Sequence, residues 1–162
     1  MSTDSDAPPT LEQIQAARRT LLGKVRETPA WTWEGRHLDA VAPTGATIIN
    51  KLELFQHAGS FKARGVMLRM LDLDDDARAR GVTAVSAGNH AMAVSYVARA
   101  LGSHAKVVMP TNANPARVLA CREMGAEIEQ HDDIGAAFAR VEEIERTEGR
   151  TFCLLYTSDA AD

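Results

Sequence analysis

From residue 81 to about residue 152, short apolar runs alternate with segments of helical period, and this alternation constrains the fold more than any other feature of the chain. Gly81 to Ser86 reads as strand, Asn89 to Leu101 as helix, Ala105 to Met109 as strand and Pro115 to Met124 as helix. Ala126 to Gln130 is strand again, Ile134 to Thr147 helix, and Arg150 begins a further strand. Strands joined by helical units of roughly 10–14 residues are the signature of βαβ crossovers, which place consecutive strands parallel. The pattern predicts a compact run of about four parallel strands in an α/β fold. The punctuation agrees: Asn114 is an N-cap before a proline at the first helical position, and Gly102, Gly125 and Gly149 follow helix ends.

The N-terminal half is less regular. Residues 1–10 read as a disordered leader, and a helix runs from Leu11 to Leu22 with Leu11, Ile14, Ala17, Leu21 and Leu22 at helical spacing. Arg18 falls inside that stripe and is expected to snorkel from its edge. Thr28-Pro29 breaks the pattern, and Ala30 to Trp33 is a short extended piece. Ala46 to Leu54 is strand-like and Phe61 to Leu73 helical. Leu71 to Arg80, with Asp72, Asp74, Asp75 and Asp76, is the best internal boundary, and a solvated turn is favoured there over a capped short helix. The expected units are therefore 11–73 and 74–152. The last ten residues, 153–162, resemble the translation of a sequencing-library adapter and are read as foreign to the fold.

Charge and composition narrow the function. A net charge of −4 with interspersed signs predicts neither a nucleic-acid nor a membrane partner. Small anions remain possible ligands, because a helix N-terminus holds an anion without net positive charge. No apolar run approaches the roughly 20 residues of a membrane span. Cys121 and Cys153 have no metal-ligand spacing, so no metal site is expected, and a cytoplasmic, disulfide-free protein is the default reading.

Two segments carry chemistry. The first is Lys51-Leu-Glu-Leu-Phe-Gln-His-Ala-Gly-Ser-Phe-Lys62-Ala-Arg-Gly65. A strand enters a Gly-Ser turn, a helix begins near Phe61, and Ser60 is placed to cap it, with Lys62 in the first turn. The positive end of the helix dipole disfavours an ammonium there and favours the free amine, which is a nucleophile toward an aldehyde. From position alone, an ordinary solvated lysine at a helix end is the favoured reading. The second is Thr83-Ala-Val-Ser-Ala-Gly-Asn-His-Ala-Met92. Here a parallel strand ends in small residues and a helix opens at Asn89, where free N–H groups suit a carboxylate. Asn89 serves equally well as a simple cap.

Taken together, the two segments resemble the fold-type-II pyridoxal-phosphate enzymes, and within them the threonine/serine dehydratases. Thr28-Pro29, Met109-Pro-x-x-Ala-x-Pro115 and Gly125-Ala-Glu127 also fall where that family has equivalents, so the resemblance covers about residues 11–150. It implies a large-domain N-terminal segment followed by a small three-layer αβα domain. It further implies that Lys62 binds pyridoxal 5'-phosphate as an imine and later acts as base. Phe61 would lie against the pyridine ring and Asn89 would bond the phenolic oxygen. Ser86, Ala87, Gly88, Asn89 and His90 would form the cradle for the carboxylate of a small amino acid substrate.

Racemases resembling this family carry a serine where this chain has Ala87, so elimination is favoured over racemisation. Met92-Ala93, where Gln-Gly is common, and Ala58, where Thr or Val is usual, leave the substrate open. The resemblance puts the glycine-rich phosphate loop and any metal ligands after this segment. A chain of this extent alone is thus expected to be inactive and to hold cofactor weakly, and the whole protein to be a homo-oligomer. The remaining histidines, His37, His57, His104 and His131, read as surface or packing residues.

Overall fold

A computed structural model describes residues 8–39 and 41–154; most of the expected leader and residues 155–162 of the expected foreign tail lie outside the described residues. The first helix, α1 (Leu11–Leu21), starts at Thr10, whose hydroxyl accepts from the Gln13 amide while the Gln13 side chain accepts from the Thr10 amide. This reciprocal box satisfies two orphan donors of the first turn. The apolar stripe that predicted α1 is not a core face. Only Leu21 is buried, whereas Leu11 and Ile14 are 70% and 53% exposed. Arg18 does not snorkel along that face; it reaches the solvated Glu27 at 3.6 Å.

Strands β1 (Ala30–Trp33) and β2 (Ile48–Lys51) flank α2 (Arg36–Asp39) and pair antiparallel, Ala30 with Lys51 through Trp33 with Ile48. They form a separate two-stranded ribbon. The second strand is shorter than its apolar pattern, because the chain leaves it for two single 3-10 turns, Glu53–Phe55 and His57–Gly59. Helix α3 (Lys62–Leu71) follows, then α4 (Asp75–Arg80).

The solvated turn expected over 71–80 is therefore corrected to a capped helix. Asp74 accepts from the Ala77 amide at 2.7 Å, Asp75 and Asp76 lie at the positive end, and Arg78 and Arg80 at the negative end. The clustered acids match the helix dipole, which offsets their mutual repulsion.

The parallel pattern is realised closely. Strands β3 (Val82–Val85), β4 (Ala105–Pro110), β5 (Glu127–His131) and β6 (Thr151–Phe152) form one parallel sheet in the order β5-β4-β3-β6. Helices α5 (Asn89–Ala100), α6 (Pro115–Glu123) and α7 (Ile134–Glu148) make the crossovers. Alternation along the strands assigns the layers. Val82, Ala84, Val107 and Met109 pack with α3, α5 and α6, while Val85 and Val108 pack with Ala137, Val141 and Ile144 of α7. The result is the expected αβα sandwich.

The larger core runs without interruption from Leu21 through Ala63, Val66, Met67 and Met70 to the sheet and Cys153. Thus residues 73 and 74 do not divide two hydrophobic cores among the described residues. Cys153 is itself buried, and its amide donates to the Thr83 carbonyl.

Candidate functional site

The chain starts at β3, steps outward to β4 and β5, and returns to lay β6 on the other side of β3. The connection leaving β3 therefore departs toward one face and one neighbour, while β6 arrives from the other. In open α/β sheets, ligands bind outside the carboxyl ends of the strands at such a reversal. The turn at this place is Ser86-Ala87-Gly88, and α5 opens directly after it at Asn89.

The turn is built from within. Ser86 is buried, and its hydroxyl accepts from the Gly88 amide at 3.0 Å. Gly88 occupies the N-cap of α5, which has no side-chain cap. The first-turn N–H groups of α5 are thus not claimed by a capping side chain. Asn89 does not act as that cap, because it is already the first helical residue. His90 is buried, and its Nε2 donates to the Cys153 carbonyl at 2.7 Å, which ties the turn to the end of β6.

Lys62 is the first residue of α3 and is half-buried. The expected cap by Ser60 is not made. Phe61, with helical φ −60° and ψ −19°, occupies the N-cap, and α3 has no side-chain cap. Ser60 stands extended just before it, and its hydroxyl is buried with no hydrogen-bond partner among the described residues. Phe61, next to the lysine, is 53% exposed. Ahead of them Ala58 adopts the left-handed conformation at φ 57°, an uncommon state for a residue with a Cβ.

Two kinds of contact carry the lysine segment onto the turn segment. Helix α3 packs against α5, with Ala63, Val66, Met67 and Met70 in the same core as Ala91, Val94 and Ala98. His57 stacks on Tyr96 of α5 with ring centroids 4.7 Å apart and planes 16° from parallel. Burial, and then the Arg26 charge, lower the His57 pKa. The reading of His57 as a packing residue is fulfilled.

The residues that sequence reasoning left without a role are Glu53, Gln56 and Arg64. The Arg64 guanidinium donates to both carboxylate oxygens of Glu53, at 2.9 and 2.7 Å, and the Thr28 hydroxyl donates to the same carboxylate at 2.5 Å. Gln56 is buried, accepts from the Arg26 amide and donates to the Arg26 carbonyl. Lys51 donates to the Thr28 carbonyl. Arg64 holds the Glu53 carboxyl below its ordinary value, against the upward pull of burial. One signal was available in advance: an arginine in a helix's first turn opposes the dipole and calls for an acid from elsewhere.

A cavity of 560 Å³ lies elsewhere, beside the ribbon, between Thr32 and Ile48. Its lining carries one ionisable side chain, Glu34, and neither Lys62 nor Asn89. It has concavity without a nucleophile, and the candidate site stays with the amine and the switch-point turn. No helix of the described residues is long and apolar enough to cross a membrane, and no His/Cys/Asp/Glu group among them could hold a metal.

Comparison with known proteins points the same way. The sequence profile of the family described as "Pyridoxal-phosphate dependent enzyme" matches residues 22–161. Phenylserine dehydratase of Ralstonia pickettii is 46% identical over 149 residues, covering 92% of this chain and 44% of that protein. L-threo-3-hydroxyaspartate ammonia-lyase of a Pseudomonas species is 44% identical over 121 residues, 75% of this chain and 36% of that protein. The solved structure of maize serine racemase superposes with a TM-score of 0.82 at 29% identity, over 94% of this chain and 45% of that one. The chain spans less than half the length of these relatives.

Proposed function

Because the chain belongs to the family of pyridoxal-phosphate dependent enzymes, we propose that it carries the lysine and the carboxylate cradle of an ammonia-lyase. The substrate is a β-hydroxy α-amino acid of the threonine/serine type, and the products are a 2-oxo acid and ammonia. The observation that carries this reading is the packing of α3, headed by Lys62, against α5, headed by the switch-point turn.

The residues fit the cofactor. A half-buried amine, a buried serine hydroxyl without a partner among the described residues, and an exposed phenyl ring occupy three consecutive positions, 60 to 62. Pyridoxal phosphate, when bound, supplies the electron sink that makes the substrate α-proton removable. Lys62 would hold it, and the same Nζ would serve as the base for the α-proton. Phe61 would pack against its ring, and the Asn89 amide would donate a hydrogen bond to it. The first-turn amides of α5 and the small residues Ser86, Ala87 and Gly88 receive the substrate carboxylate, with His90 holding the turn to β6.

Ala87 decides between elimination and racemisation. A methyl group on this turn has no proton to move on the second face of the α-carbon, so two-base racemisation lacks its second base. The phenylserine dehydratase and the hydroxyaspartate ammonia-lyase act, by their names, on β-hydroxy amino acids. The substrate class is consistent with that, and hydroxyaspartate or phenylserine are its variants.

The test uses the complete protein loaded with pyridoxal phosphate and offered threonine, serine, 3-hydroxyaspartate and phenylserine. Formation of 2-oxo acid and ammonia, abolished in Lys62→Ala, is expected. Release of D-amino acid without 2-oxo acid would replace the lyase by a racemase. Absence of any cofactor absorbance dependent on Lys62 would leave a non-catalytic binding domain.

A further inference from the structure

Helix α3 begins against electrostatic preference. Its N-cap offers no side-chain bond, its first turn contains no acid, and it contains two cations, Lys62 and Arg64. Each of these facts costs stability at the positive end of a helix dipole. The compensation comes from outside the helix. Glu53, eleven residues earlier, takes the Arg64 guanidinium in a two-point fork, and Thr28 bonds the same carboxylate. Arg64 also donates to the Arg26 carbonyl at 3.2 Å. Three separate stretches of chain, 26–28, 53 and 64, thus meet two residues from Lys62.

A fork of this kind fixes orientation as well as position, because both guanidinium donors must meet both oxygens in one plane. Arg64 is half-buried, and so is Glu53, with side chains 30% and 18% exposed, so solvent does not fully loosen the pair. Helix α3 is rigid between Lys62 and Arg64, which share a turn. Rotation of the helix start about its axis, or a slide along it, would have to break the fork.

We propose that the Glu53–Arg64 pair, oriented by Thr28, is a positioning device for the Lys62 amine: it sets the angle at which the first turn of α3 presents that amine to the cofactor aldehyde. Neither residue touches the reacting atoms. The inference rests on the assignment of Lys62 as the cofactor-binding lysine, and the experiment separates the two.

The complete protein is titrated with pyridoxal phosphate, following the absorbance band of the lysine-bound cofactor well below the thermal midpoint of each variant. In Lys62→Ala the band is absent; its persistence there would overturn the underlying assignment and this inference with it. In Glu53→Gln the band forms with about tenfold weaker apparent affinity, as a misplaced reacting group requires. In Arg64→Lys, which keeps the charge and loses the planar fork, the weakening is of the same order.

A merely structural pair would lower the thermal midpoint and leave this low-temperature titration unchanged, and that result in both variants would overturn the proposal. Should Glu53→Gln fail to fold, Thr28→Val removes only the hydroxyl that orients the carboxylate. A titration roughly two- to threefold weaker than wild type is then expected, because the Arg64 fork still holds the carboxylate. A wild-type titration in Thr28→Val and Arg64→Lys together would sink the idea.

Discussion

The parallel sheet and the antiparallel ribbon use the same kinds of residues and reach opposite outcomes. In the sheet, β4 is buried along nearly its whole length, and Val107, Val108 and Met109 have no exposed surface. In the ribbon, all four residues of β1 are exposed, including Trp31 and Trp33 at 66% and 53%. The difference lies in the connections. Crossovers through α5, α6 and α7 bring their own helices to cover both faces of the sheet, whereas the described residues of the link from β1 to β2 hold only the four-residue α2. A two-stranded ribbon without a covered face is marginal. Apolar composition creates the demand for burial; the connections decide whether it is met.

The largest expected break in this comparison comes from the cores themselves. Ile144→Ala, in α7 against the sheet, should cost about 3 kcal/mol of unfolding free energy, from lost transfer and the cavity left behind. Ile49→Ala, 62% exposed on the ribbon, should cost less than about 0.5 kcal/mol. Urea unfolding measures both. Equal costs would mean that the ribbon surface is covered in solution and that the contrast does not hold.

Next in size is Lys106, an exception within the sheet: a buried lysine on β4 with Glu148 at 2.5 Å, Glu127 at 3.2 Å and Glu129 at 3.7 Å. Lys106→Met should cost about 2 kcal/mol, less than a fully buried pair because these carboxylates keep partial access to water.

Its pH dependence has a definite sign. Hydrogen bonds from Lys106 and Arg150 hold Glu148 below its ordinary 4.5, and Arg140 does the same for Glu129. Burial works against the Lys106 ammonium, but bonds to Glu148 and Glu127 outweigh it and raise that pKa above 10.5. The carboxylate contribution is complete above 4.5 and is lost as pH falls through the lowered folded-state values. The lysine contribution is complete below 10.5 and is lost as pH rises through its raised value. Wild type and Lys106→Met should therefore differ most on the plateau between these limits and converge outside it. A difference independent of pH would show that Lys106 acts through packing alone.

A smaller effect, about 1 kcal/mol, is expected for Asp74→Ala, which removes the cap that turns the acidic stretch into α4. A neutral outcome by thermal denaturation would restore the solvated-turn reading of 71–80. The smallest signal sharpens the comparison from the other side. The two tryptophans both lie in β1, so indole emission reports the ribbon alone. Emission should be that of a solvated indole and shift little on unfolding, while circular dichroism follows the sheet and its helices. A strongly blue-shifted native emission would show the ribbon face buried.

Much of this was legible in advance, for a physical reason that differs by element. The strands from 82 to 152 and the helices between them were marked by period and by Asn114 and Gly149, since these features act within a few residues of themselves. The α1 stripe was legible as a helix but misleading as a core face: periodicity states which residues could be buried together, not what will cover them. The acids at 72–76 read as a solvated turn because clustered charge usually marks exposed chain, whereas the residues after them form the helix that Asp74 caps. In the site, Lys62, Phe61 and the turn 86–90 were marked by chemistry and by motif. Glu53 and Arg64 stood within the same motif, yet their meeting depends on how α3 folds back over the turns that precede it.

Local stereochemistry written into the chain determined the elements, most of their ends, and the parallel sense of the sheet, because each depends on neighbours in sequence. Which strand lies beside β3 was decided only in three dimensions. Placing β6 there, across from β4, creates the reversal at which the Ser86–Asn89 turn stands. The same holds for the uncapped start of α3, whose compensating carboxylate arrives from another segment. Strand order and remote ion pairs are settled by competition among distant surfaces for burial and for charge, and no window of consecutive residues contains that competition.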